Sequence, residues 1–313
     1  MPIKIPDQLP ALTVLDNENI FVMSEHRAVN QDIRPMEVAI LNLMPNKIET
    51  EVQILRMLGN TPLQINIEFI RIHANESKHT PKEHLDNFYR LFDDVKDKQY
   101  DGLIVTGAPL ALLNYHDVTF WDKICEVFDW AEKNVTSTMF SCWAAHAALY
   151  HHYGIQRHLR KQKLSGVYRH YPIDPREQLT RGFDESFYVP HSRYGYIERA
   201  EYEAIDGLRV LAESEEAGVY LVASKNKQQV YLTGHPEYDA TTLLEEYQRD
   251  LAAGISPIIP ENYFDNDDVN TKPKSLWRSH GSLLFTNWLN YYVYQITPYQ
   301  LDADSIQAIH PEG

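Results

Sequence analysis

Two short segments combine residue types able to do covalent chemistry. The first is Thr138-Met139-Phe140-Ser141-Cys142-Trp143-Ala144-Ala145, where an apolar run passes straight into an alanine-rich one with a cysteine at the bend. A cysteine there lies at a helix N-terminus, whose backbone N–H groups favour thiolate and can receive an oxyanion. Ala144 and Ala145 are small enough for a tight turn of the nucleophile-elbow kind. The second segment is Tyr231-Leu232-Thr233-Gly234-His235-Pro236-Glu237-Tyr238. In an extended segment His235 and Glu237 point the same way, and a histidine held by a carboxylate is the base that a cysteine nucleophile needs. Taken alone, each has a plainer reading: a buried cysteine acting as a small hydrophobe, and a surface turn with one of the chain's 14 histidines. Together they favour the nucleophile-and-base reading. A third piece, Thr106-Gly107-Ala108-Pro109-Leu110, follows another apolar run and offers backbone N–H groups for an oxyanion hole facing the elbow. The remaining cysteine, Cys125, falls inside an amphipathic helical pattern and reads as core.

The elements that position these segments follow a βα rhythm. MEVAILNL from Met36 reads as a strand. Asn46 and Glu49 form a capping box ahead of Ile48, Val52, Leu55 and Leu58 at helical spacing, with Gly59 as the stop. Leu63, Ile65, Ile67 and Phe69 alternate as a strand, and Thr80-Pro81 opens a helix through Leu85, Phe88, Phe92 and Val95. Gly102–Thr106 reads as a strand, Asp117–Lys133 as a helix, Val135–Ser141 as a strand and Trp143–His152 as a helix. AGVYLVAS and QQVYLTG suggest an antiparallel hairpin, Asp239 caps a helix through Leu251, and a last helix runs from about Trp277 to Ile296. Such alternation implies an α/β fold: a mostly parallel, doubly wound sheet flanked by helices, with N- and C-terminal extensions. In such sheets ligands bind beyond the carboxyl ends of the strands, where all three chemical segments fall. Residues 1–35 show no sustained period and read as an irregular arm.

Composition narrows the partners. The 313 residues are 43% hydrophobic and 23% charged, an ordinary globular balance. The net charge of −15 disfavours nucleic acid and anionic membranes, while leaving room for an anionic small molecule at a locally basic site. Two cysteines are too few for a secreted disulfide framework or a cysteine-rich zinc module, so a reducing, cytoplasmic setting is expected. No apolar stretch targets or spans a membrane. There is no HExxH, CxxC pair, P-loop or GxGxxG, so no metal and no bound cofactor is expected. The pair His151-His152 reads as a solvated helix end, and the aromatic run Trp288–Tyr299 as core packing.

With Cys142, His235 and Glu237 in hand, the arrangement resembles the class I glutamine-amidotransferase-like superfamily. Four segments narrow the likeness to the homoserine O-succinyltransferase family of methionine biosynthesis: IRPMEVAILNLMPNKIETEVQ, DGLIVTGAPL, YLTGHPEYD and WRSHGSLLFTNWLNYYVYQITPY. They span nearly the whole chain. The resemblance implies an acyltransferase domain over 36–299, a tail over 300–313 and a homodimer. It also implies ping-pong transfer of an acyl group from a CoA thioester to the L-homoserine hydroxyl. Cys142 would carry the acyl group, and His235, oriented by Glu237, would be the general base. The family's substrate contacts fall on Lys163 in KLSGV, Ser192 in PHSRY and Arg249 in YQRD; read alone, each cation would pass for a solvated charge.

In this family the residue after GAPL goes with donor choice: glycine with succinyl-CoA, glutamate with acetyl-CoA. Here it is Ala111, which matches neither. Alanine adds one methyl and no charge, so the expectation is succinyl-CoA as co-substrate. The competing reading is an acetyltransferase acting on homoserine or serine. A cysteine hydrolase or glutaminase is a second class, disfavoured by Ser141 and Ala144 where amidotransferases often have glycine. A non-catalytic binding protein is a third, disfavoured by the presence of all three catalytic residue types.

Overall fold

A computed structural model describes residues 3–6, 8–17, 22–24, 34–59, 61–73, 79–298 and 303–310. Its strands are β1 (Ile3–Ile5), β2 (Val22–Ser24), β3 (Met36–Leu41), β4 (Ile65–Arg71), β5 (Tyr89–Leu91) and β6 (Tyr100–Val105). They continue with β7 (Val135–Ser141), β8 (His158–Pro172), β9 (Phe187–Tyr196), β10 (Leu208–Ser214), β11 (Gly218–Ser224) and β12 (Gln229–Leu232). The helices are α1 (Ala11–Asn17), α2 (Lys47–Leu58), α3 (Lys82–Phe88), α4 (Phe92–Val95) and α5 (Trp121–Asn134). After them come α6 (Trp143–Tyr153), α7 (Arg199–Glu203), α8 (Thr242–Ala252), α9 (Arg278–Asn287) and α10 (Ala303–Ile309).

The strands form one sheet in the order β2-β1-β4-β3-β6-β7-β12-β11-β10-β8-β9, with β5 beside β4. Pairing is parallel from β2 to β12 and antiparallel from there to β9. The period-2 alternation of a strand sorts the core into two layers. Met36, Val38, Ile40, Ile104 and Met139 face one way, under α2, α9 and the π-helical turn Trp288–Tyr294. Ala39, Leu41, Leu103, Val105 and Phe140 face the other, under α5 and α6. Because both faces are covered, the central strands carry consecutive apolar residues, Val38–Leu41 in β3 and Leu103–Val105 in β6, in place of a polar alternation. Helix α5 buries Trp121, Ile124, Phe128 and Ala131, one face at 3.6-residue spacing.

Several sequence expectations need correction. The stretch read as an irregular arm contains, where described, β1, α1 and β2, and β1 pairs with β4 at the sheet edge. The helix expected through residues 80–95 is broken at Tyr89, where the chain pairs with β4 as β5. Its hydroxyl donates to buried Glu51 at 2.6 Å and accepts from Asn42, a polar tie that continued helix would not make. Asn46 and Glu49 do not form a capping box: their side chains bond each other at 2.8 Å, and Asn46 makes no side-chain cap bond. Helix α8 begins at Thr242, and Asp239 serves it through its carbonyl rather than as the cap. Strands β8, β9 and β10 lie in a stretch where no element was read.

Trp288 is fully buried and donates to Ser137 Oγ at 3.1 Å. It lies against Gly102 of β6, where an added Cβ would sit 2.9 Å from Trp288 Cη2. Gly102→Val should therefore destabilise the fold by about 1–3 kcal/mol through overpacking. Denaturant unfolding checks this; an unchanged midpoint would mean that the indole is free to move away.

Candidate active site

Strand β7 feeds α6 with no intervening loop, so the residue between them must turn sharply. That residue is Cys142, with φ 49° and ψ −110°, backbone that L-residues rarely adopt and that costs on the order of 1–3 kcal/mol. Its N–H is tied to Leu232 O at 2.7 Å, and its carbonyl accepts from His146 N at 3.2 Å. Leu232 pairs with Ser141 in register, so the chain leaving β12 emerges beside the cysteine.

That chain carries His235 and Glu237. The His235 N–H is anchored to Pro190 O on β9 at 2.8 Å, and its Nδ1 bonds Glu237 Oε1 at 2.8 Å. The Tyr238 ring stacks on the imidazole, centroids 4.1 Å apart. Gly234 allows the close approach of β9: a Cβ there would meet Val189 Cγ1 at 2.7 Å and His191 Cε1 at 2.9 Å. The other Glu237 oxygen is buried without a hydrogen-bond partner, so His235 is what holds this carboxylate. Gly107 closes the site from the β6 side: a Cβ there would lie 3.3 Å from Cys142 Cβ and 3.7 Å from His235 Cε1. The Gly-Ala-Pro turn thus faces the elbow.

Burial pushes the His235 pKa down, but the Cys142 thiolate, the Glu237 carboxylate and hydrogen bonds to both raise it well above the ordinary value. Folding therefore favours the charged form of His235. Since the His235 pKa is raised on folding, the charged imidazole contributes its full stability below the ordinary histidine range. The contribution is lost as pH rises through the raised value.

Lys163 of β8 and Ser192 of β9 converge on Glu246 of α8, a residue the sequence reading did not single out. Lys163 Nζ lies 3.0 Å from Glu246 Oε2 and 3.6 Å from Asp250; Ser192 Oγ donates to the same Glu246 oxygen. Tyr238 donates to Glu246 Oε1 at 2.8 Å, which links this cluster to the imidazole it stacks on. Burial works against the Glu246 charge, yet Lys163 and Ser192 bring its pKa below the usual range. Arg249 is turned differently. Its side chain is 63% exposed and bonds its neighbour Asp250 at 2.7 Å, at the edge of a cavity of about 390 Å³ that Tyr238 and Glu246 also line. Ala111 is half-buried, four residues beyond Gly107 on the same turn.

Met44 lines that cavity too. The turn that carries it is held by Lys47, whose Nζ donates to Asn42 O and to Met44 O. Burial lowers the Lys47 pKa to about 8. Nothing in the sequence pattern marked Lys47, which sits among ordinary first-turn residues. Cys125 packs on the core, and burial followed by Asp129 and Asp122 pushes its thiol up to about 11, the reverse of activation. His152 is not a solvated helix end. Its side chain is 4% exposed, bonds Tyr231 at 3.1 Å, and is pushed by burial down to about 3. Among the described residues no group of three or more His, Cys, Asp or Glu is placed to hold a metal ion, and no helix is long and apolar enough to cross a membrane.

A mostly parallel sheet with a cysteine elbow and a His-Glu pair at its carboxyl edge has the class I glutamine-amidotransferase-like fold. Solved structures agree on the fold. A glutamine amidotransferase from Thermotoga maritima superposes with a TM-score of 0.52 at 12% identity, covering 82% of this chain and 98% of that one. One from Methylobacillus flagellatus gives 0.51 at 11%, covering 83% and 95%. The family model for homoserine O-succinyltransferase matches residues 2–299. A homoserine O-succinyltransferase of Alteromonas mediterranea is 62% identical over 301 residues, 96% of each chain. That of Pseudoalteromonas atlantica is 61% identical over 308 residues, 98% of this chain and all of the other. The chain belongs to the homoserine O-succinyltransferase family.

Two outcomes test this geometry. Glycine in an element interior is ordinarily about 0.5–1 kcal/mol worse than alanine. At the φ of Cys142 the order should reverse, with Cys142→Gly unfolding no earlier than Cys142→Ala; a clearly earlier transition would contradict the strained elbow. Glu237→Gln should lower the His235 pKa, followed by NMR of the imidazole carbons, and an unchanged titration would remove Glu237 from the charge balance.

Proposed function

We propose that this protein transfers a succinyl group from succinyl-CoA to the side-chain hydroxyl of L-homoserine, through a thioester on Cys142. The observation that carries the reading is His235 poised between Cys142 and Glu237 at the elbow, in a chain of this family.

The charge balance sets the order of steps. The Cys142 thiolate attacks the thioester carbonyl, and the oxyanion is met by backbone N–H groups at the start of α6 and at the Gly107-Ala108 turn. The carbon–sulfur bond to CoA breaks as His235 Nε2 gives its proton to the departing CoA thiolate. With Cys142 acylated, one of the anions that raised the His235 pKa is gone, so the imidazole stays neutral and is now a base. It takes the proton of the homoserine hydroxyl as that oxygen attacks the thioester. The carbon–sulfur bond to Cys142 breaks, O-succinylhomoserine leaves, and the thiolate–imidazolium pair is restored. Glu237 keeps Nδ1–H fixed throughout, so that Nε2 always faces the reacting atoms. Lys163, Ser192 and Arg249 contact substrate, the cations serving the homoserine carboxylate or another anionic group.

Donor choice rests on Ala111. A methyl leaves the space that glutamate would fill and adds no charge to repel the succinyl carboxylate. Direct competition of succinyl-CoA and acetyl-CoA, with homoserine as acceptor, tests the whole reading. Succinyl transfer should dominate, and Ala111→Glu should move the kcat/KM ratio towards acetyl-CoA by at least about tenfold. Dominant acetyl transfer by the wild type would reverse the donor assignment, and no transfer from either ester would overturn the function.

A further inference from the structure

A cleft of about 870 Å³ opens among β8, β9 and the β10–β11 turn, sharing no lining residue with the cavity that Glu246 and Arg249 line. Its inner wall reaches the elbow. His146, bonded through its N–H to Cys142 O, lines it, as does Thr233, two residues before His235.

Two guanidinium groups in this wall have no carboxylate partner among the described residues. Arg193 is 3% exposed and donates only to neutral acceptors: His191 Nδ1 at 3.2 Å, Ala217 O at 2.6 Å and Gly195 O. Arg160 lies with its guanidinium 5.2 Å from the Tyr196 ring centre, and its Nε is buried without a hydrogen-bond partner. Buried His146 Nε2 is likewise unpartnered. Glu198, Glu213, Glu215, Glu216 and Glu261 also line the cleft, none of them ion-paired with Arg160 or Arg193: Glu213 pairs with Arg199, and Glu261 accepts from Tyr168 at 3.1 Å. Burial first, and the Arg160 charge second, push the Arg193 pKa down to about 10. A buried cation beside a second cation is costly, and what offsets Arg193 is a set of neutral acceptors and the nearby Cys142, not a paired carboxylate.

We propose that this cleft receives the acyl donor, and that Arg160, backed by the charge of Arg193, binds an anionic group of that donor. This rests on the acyltransferase reading above. The volume suits a cofactor-sized ligand, for which sites of roughly 300–1,000 Å³ are usual. A succinyl-CoA molecule carries two kinds of anion, the succinyl carboxylate and the CoA phosphates, and a guanidinium pairs with either through parallel N–H donors. Lys163 lines this cleft too, and its ion pair with Glu246 joins it to the smaller cavity, where Arg249 leaves room for homoserine.

The test uses the full-length enzyme with Arg160→Gln, three donors (succinyl-CoA, acetyl-CoA and the succinyl thioester of pantetheine), and homoserine as acceptor. The variant should raise the donor KM by at least about tenfold, with the loss falling on KM rather than kcat, the homoserine KM unmoved, and Arg160→Lys recovering part of it. A carboxylate contact gives the penalty with both succinyl donors and spares acetyl-CoA. A phosphate contact gives it with both CoA esters and spares succinyl-pantetheine. Unchanged KM for all three donors, or a loss confined to kcat or to homoserine, would overturn the subsite. Wild-type enzyme that uses none of the donors would instead overturn the acyltransferase reading, and the subsite with it.

Discussion

In the buried pocket where β7 and β12 end side by side, desolvation and two anions compete to decide the charge of His235. Desolvation alone would strip the imidazole of its proton. Cys142 and the Glu237 carboxylate reverse that outcome, the carboxylate from the Nδ1 side of the ring. Such coupling is strong only while the three groups stay close and dry, because charge–charge energy falls with distance and with the dielectric around it. The neighbourhood serves this end. Gly107 lets the β6 turn come within contact of Cys142, Gly234 lets β9 close over His235, and the Tyr238 ring covers the imidazole face.

The sheet order explains why these pieces meet. Placing β12 next to β7 makes two distant segments neighbours: the elbow, and a turn more than 90 residues further along the chain. The antiparallel extension from β11 to β9 then builds the remaining wall. Pro190 O holds the His235 backbone, and Ser192, Lys163, Arg193 and Arg160 come from the same hairpin. The cost of the elbow, a cysteine at φ 49°, is carried by rigid elements on both sides: a fully buried strand and an alanine-rich helix whose small side chains are buried throughout. Backbone strain of this kind persists where its surroundings over-determine it.

The centre of the parallel half was legible because burial on both faces removes the polar alternation: MEVAIL, GLIV and VTSTMFS all read as strands, whereas the edge strands β1, β2 and β5 did not. Beyond the β11–β12 hairpin, the antiparallel half was not legible. The β8 sequence HLRKQKLSGVYRHYP is polar and half-exposed, and β9 buries Pro190, His191 and Arg193, so neither shows the apolar alternation of an ordinary amphipathic strand. At the site, Cys142, His235 and Glu237 could be picked out from residue type at strand ends. Lys163, Ser192 and Arg249 came only through family resemblance, since a lone Lys or Arg looks like any solvated charge. Glu246 and Arg193 left no local signal, because what distinguishes them is burial and partners supplied by distant strands.

Intact-protein mass spectrometry after brief mixing with succinyl-CoA, in the absence of homoserine, measures the covalent step proposed for Cys142. The account predicts a succinyl adduct on Cys142 that disappears when homoserine is added and does not form in Cys142→Ala. A wild-type protein that turns over without ever carrying the adduct, or an adduct that survives in Cys142→Ala, would contradict it.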